Sequence, residues 1–92
     1  MWKALKKTTD DCVSELRLIT GNSTWLDTLD AAVWLEPTSE PLRDSIVWTL
    51  RDGVKYLLEL AGDYDDRGMG RKADCIRNCA IDIETALGRY DV

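Results

Sequence analysis

Apolar residues recur along this chain at helical rather than strand spacing, and their period predicts four helices. Trp2, Leu5, Thr9, Cys12, Leu16 and Ile19 step by three and four in alternation, which places them on one face of a helix over residues 2–20. Gly21 follows, where a left-handed cap costs glycine least. Asn22, Ser23 and Thr24 then offer three candidate N-caps, and Thr24 with Asp27 approximates a capping box. A second helix over residues 23–36 carries Trp25, Leu26, Leu29, Ala32 and Val33 on one arc and stops before Pro37. The segment from Pro37 to Pro41 is a turn, in which Ser39 caps the next helix.

That third helix, over residues 39–61, is the longest and most apolar segment and is predicted to be the spine of the fold. Leu42, Ile46, Leu50, Leu57 and Leu60 line one side, and Val47, Val54 and Leu58 form a second row expected to be buried between neighbours. Gly53 sits on the apolar side although glycine costs about 1 kcal/mol relative to alanine inside a helix, so a close approach by a neighbouring element is expected there. Gly62 to Gly70 reads as irregular. Met69, Ala73, Ile76, Ala80, Ile83, Leu87 and Tyr90 then repeat as heptads, predicting a fourth helix over residues 69–88 with Gly88 at its end. Four amphipathic helices with short connections predict an all-α fold, a small antiparallel four-helix bundle, in a single domain spanning residues 1–92. Two helical hairpins that complete their core by dimerising are the alternative.

Composition narrows the function mainly by exclusion. The 92 residues hold 12 basic and 17 acidic side chains, a net charge of −5, and between Thr8 and Asp66 the balance falls to four basic against thirteen acidic. This sign opposes direct nucleic-acid binding, in which phosphate attraction dominates affinity. No apolar run approaches the roughly 20 residues of a membrane helix, and the basic start lacks a signal-peptide core, so a cytoplasmic protein is expected. Three cysteines make no disulfide framework. Cys12 and Cys79 read as small core residues, with Cys75 further round its helix.

The absence of histidine removes the commonest general base and the serine and cysteine nucleophile systems built on it, so no catalytic residue is expected and the chain reads as a non-enzyme. No metal ligand set or cofactor is expected either. The spacing of Asp63, Asp65, Gly68 and Asp74 matches part of a calcium loop, but Arg67 stands at the fifth position, where an oxygen ligand belongs, and Asp74 replaces the bidentate glutamate.

Surface apolarity is the positive signal. Trp34 and Trp48 fall on the polar sides of their helices, and exposed tryptophan is a frequent anchor of protein interfaces. Beside them Asp27, Asp30, Glu36, Glu40 and Asp44 would steer association toward a basic surface on a larger protein, including one that itself holds nucleic acid. In size, charge and helical character the chain is similar to small inhibitors carried by phages and mobile elements, such as anti-CRISPR proteins. That resemblance implies a non-enzymatic inhibitor acting by protein–protein contact. The alternative expectation is a self-associating structural or regulatory bundle, with the same tryptophans buried in a homodimer.

Overall fold

In a computed structural model, residues 2–34 and 37–90 are described and form an all-α bundle of four helices. They are α1 (Trp2–Thr20), α2 (Thr24–Trp34), α3 (Glu40–Asp66) and α4 (Gly70–Tyr90). Each helix packs on its neighbours in sequence, and α4 also packs on α1, which closes the ring. The α3–α4 pair forms the most extensive interface. Cross-helix contacts give the directions. Lys6 meets Trp34 and Arg17 meets Asp27 between α1 and α2, while Arg43 meets Tyr90 and Asp65 meets Arg77 between α3 and α4. Both pairs are antiparallel.

The helix ends show where the sequence pattern holds and where it must be corrected. Gly21, at φ +81°, ends α1 by donating its N–H to the Arg17 carbonyl at 2.9 Å, a left-handed cap. Helix α2 begins at Thr24, so the threonine lies inside the helix and the expected Thr24–Asp27 capping box is not its start. Asp27 instead donates its N–H to the Ser23 carbonyl and spends its carboxylate on Arg17, 2.7 Å away. The expected end of this helix at residues 35 and 36 lies outside the described residues. Ser39 caps α3 as expected, its hydroxyl accepting the Leu42 N–H, with Pro41 in the first turn.

Helix α3 does not stop at Gly62. It continues to Asp66 because the apolar stripe continues through Ala61 and Tyr64, and Gly68 supplies the stop instead. At φ +77°, Gly68 lets its own N–H reach the Asp65 carbonyl and that of Met69 reach Tyr64, the paired bonds of a Schellman motif. Asp63 and Asp65 are therefore helical, and the loop that a calcium site would need is absent from this segment. Helix α4 begins at Gly70 rather than Met69, and passes through Gly88 to a buried Tyr90.

At 27 residues α3 extends for about 40 Å, nearly the whole 43 Å long axis of the molecule. It is the spine that its sequence predicts. Helix α2, with 11 residues, covers less than half of it. Leu5, Leu16, Leu26, Ile46, Leu50, Leu57, Ile76 and Ile83 fill the centre, and each such side chain contributes roughly 1.5–3 kcal/mol by leaving water. Val47 and Val54 are buried with them, whereas Leu58, expected in the same row, is half exposed. Gly53 does what its position implies. A Cβ there would lie 2.4 Å from Leu29 Cδ2, so α2 can seat its central leucine only against a bare backbone. One turn on, Trp25 packs on Tyr56 with ring centroids 4.6 Å apart.

Thr9 is fully buried in the core, and among the described residues its hydroxyl, like that of Tyr90, has no hydrogen-bond partner. Valine has the same shape without the buried oxygen. Thr9→Val should therefore raise the free energy of unfolding by about 1–2 kcal/mol, measured by urea denaturation.

Candidate interaction surface

The residues expected to make contact with a partner divide between two sides of the bundle. Asp27, Asp30 and Trp34 lie on the α1–α2 flank, and all three are engaged within the chain. Lys6 places its ammonium 3.5 Å from the Trp34 ring centroid and 5.6 Å from that of Trp2. The Trp34 indole donates to Asp30 Oδ1 at 3.3 Å, and Asp27 pairs with Arg17. Trp34 remains 60% exposed, lying on the surface under a cation that attracts the face of its ring.

Asp30 also meets Asp10 of α1. Burial, then the shared hydrogen bond and charge of Asp30, push the Asp10 carboxyl up to about 6 against the opposing pull of Lys6. Because the folded state holds this proton more tightly than the unfolded chain, its stabilising contribution is complete below about pH 4 and is lost as pH rises through about 6. Asp10→Asn, which keeps a neutral donor facing Asp30, should gain about 1 kcal/mol over the wild type at pH 8, after allowance for solvent screening. That advantage should vanish at pH 4, a difference read from paired denaturant titrations.

The other side is the outer face of α3. Trp48 is 70% exposed, and among the described residues no cation, ring or hydrogen bond holds it. It stands with the exposed carboxylates of Glu40, Asp44, Asp52 and Glu59 and with the exposed cations Arg51 and Lys55. At 100° per residue Trp48 projects directly away from the core, between the α2 and α4 sides of its helix, whereas Trp34 is drawn toward α1, so the two indoles do not share a face. Glu36 lies outside the described residues.

Along the α4 side of this face runs a groove of about 460 Å³ with Val54 and Leu87 in its lining and Arg51, Lys55, Leu58 and Glu84 around them. Leu58 is 47% exposed and Ile81, on the facing side of α4, is 54% exposed. Leu58 and Ile81 thus give the α3–α4 side an apolar component that the tryptophans alone did not reveal. Ile81 was legible in principle: it falls about 140° from Ile76, off the heptad stripe, just as Trp34 and Trp48 fall off theirs.

Among the described residues no three histidine, cysteine, aspartate or glutamate side chains converge to hold a metal ion, and no helix is long and apolar enough to cross a membrane. The geometry defines a small all-α antiparallel bundle. No family model, curated protein or solved structure matches the chain.

Proposed function

We propose that this chain is a non-enzymatic binding protein, a small acidic inhibitor that docks the outer face of α3 on a basic surface of a larger protein. The observation that carries this reading is Trp48, 70% exposed and without a partner among the described residues, on a face where four exposed carboxylates outnumber Arg51 and Lys55. An indole in that setting can be fully desolvated only by another molecule, and tryptophan is enriched among the residues that dominate interface energetics. Asp44 and Glu40 lie one and two turns from it and set the sign of the approaching surface. Asp27, Asp30 and Trp34 contribute less directly, because Arg17, Asp10 and Lys6 already occupy them. An inhibitor of this kind, including those encoded by phages and mobile elements, needs no active site; covering the partner's basic surface is sufficient.

The test is a binding measurement with three variants against the protein that co-purifies with the wild type. Trp48→Ala should weaken binding at least about tenfold through faster dissociation, and Asp44→Lys should slow association and reduce its salt dependence. Trp34→Ala should change affinity by less than about threefold. Trp48→Ala should leave the unfolding free energy within about 0.5 kcal/mol, since it empties no core site. Unchanged affinity in both α3 variants would exclude this face, and a homodimer at micromolar concentration that Trp48→Ala disperses would replace inhibition with self-association.

A further inference from the structure

The α1–α4 interface carries chemistry that docking through α3 does not use. Cys12 and Cys79 are both free thiols, 5% and 2% exposed, and the fold brings the Cys12 thiol against Cys79 across 67 residues of sequence. The Cys12 thiol donates to the Cys79 carbonyl at 3.7 Å, and the Cys79 thiol donates to Glu15 Oε2 at 3.6 Å. A groove of about 430 Å³ opens over Cys12 between the two helices, with Glu15, Thr8, Asp11, Asp82 and Arg89 also in its wall and Cys79 behind it. Cys75, more exposed than either, does not line it.

We propose that Cys12 and Cys79 are a peroxide-reactive thiol pair, in which a small hydroperoxide entering the α1–α4 groove oxidises Cys12 and Cys79 then closes a disulfide between the two helices. Cys12 lines the groove and Cys79 does not, so Cys12 is the sulfur that a small oxidant reaches first and the one that attacks. The neighbouring Cys79 thiol lowers that of Cys12 against burial and the carboxylates of Asp82, Glu15 and Asp11, while Cys12, burial and Glu15 raise that of Cys79. Its thiolate bonds to one peroxide oxygen, the O–O bond breaks, and the departing hydroxide takes a proton to leave as water, giving a sulfenic acid. Cys79 then passes its proton to Glu15 and attacks the Cys12 sulfur. The S–O bond breaks, and the hydroxyl leaves as a second water with that proton. Two thiols and one peroxide become one disulfide and two waters, with each sulfur oxidised by one electron and each peroxide oxygen reduced by one. Three carboxylates against one guanidinium around the groove favour a neutral oxidant over an anionic one such as glutathione disulfide.

The experiment treats the Cys75→Ser protein with hydrogen peroxide, quenches it, alkylates it in denaturant and maps the cysteines by mass spectrometry. The expected product is an intramolecular Cys12–Cys79 bridge that raises the thermal midpoint by about 5 °C or more. It should form at least about tenfold faster with hydrogen peroxide than with glutathione disulfide at equal concentration, and more slowly in Glu15→Gln. In Cys79→Ala, Cys12 should be trapped as sulfenic acid by a dione reagent. Recovery of both cysteines as alkylated thiols after treatment, in a protein whose melting curve matches the untreated one, would overturn the proposal. So would bridging only between molecules.

Discussion

Gly53→Val is expected to destabilise the bundle by about 2–3 kcal/mol, while Gly62→Ala, nine residues further along the same helix, is expected to stabilise it by about 0.5–1 kcal/mol. Glycine is unfavourable in a helix interior at both positions, so propensity alone predicts a gain at each. Packing decides otherwise at Gly53, where the space for a Cβ is already occupied by the buried side chain of Leu29. At Gly62 nothing lies within 4 Å of the added carbon. The origin of the Gly53 cost can be isolated with the smaller substitution. In the wild type, Gly53→Ala sets Leu29 against the helix preference; in a Leu29→Ala background the clash is gone, and Gly53→Ala should become stabilising by about 1 kcal/mol. Urea denaturation of the four proteins measures the coupling. Equal effects in both backgrounds would show that α2 and α3 do not meet at this contact.

Leu57→Ala should cost about 3 kcal/mol and Leu58→Ala less than about 1 kcal/mol, although the two leucines are adjacent. Leu57 is fully buried, and its removal leaves a cavity among fixed neighbours, whereas Leu58 is 47% exposed at the edge of the α3–α4 groove. The comparison also separates stability from binding. If Leu58 belongs to the docking face, Leu58→Ala weakens partner binding while the protein remains folded, and Leu57→Ala acts through the folded fraction alone. Thermal or urea unfolding measured beside affinity distinguishes these effects.

The helical period was sufficient to place all four helices because each has a buried stripe long enough to outweigh local ambiguity. Gly21 was legible as a stop because the apolar stripe of α1 ends with it. Gly62 was misleading for the complementary reason. It precedes Asp63, Asp65 and Asp66, and acidic residues oppose the negative end of a helix dipole, so the segment resembles a loop. The fold tolerates them there because Arg77 of α4 pairs with Asp65 and because Tyr64 extends the buried stripe beyond the glycine. Gly88 misled in the same way, since buried Tyr90 holds the last turn of α4.

Exposure of Trp34 and Trp48 followed from their angular positions, but what surrounds them did not. Lys6 is 28 residues from Trp34, and only the docking of α1 on α2 brings its ammonium over that ring. Likewise the grooves beside Leu58 and over Cys12 depend on which helices become neighbours, which no periodicity specifies. Cys12 and Cys79 were each legible as core residues. Their opposition across one interface required the register of α1 on α4.

The three-residue turn from Arg67 to Met69 has a consequence for how the chain assembles. The most extensive interface joins two helices separated by almost no chain, so little loop-closure entropy opposes it, whereas α1 can meet α4 only after the intervening half of the protein has been gathered in. The α3–α4 hairpin is thus the inexpensive nucleus, and the α1–α4 seam is the clasp. A covalent link between Cys12 and Cys79 would fasten the chain at the seam that costs most to close and so act mainly on how readily the ring reopens.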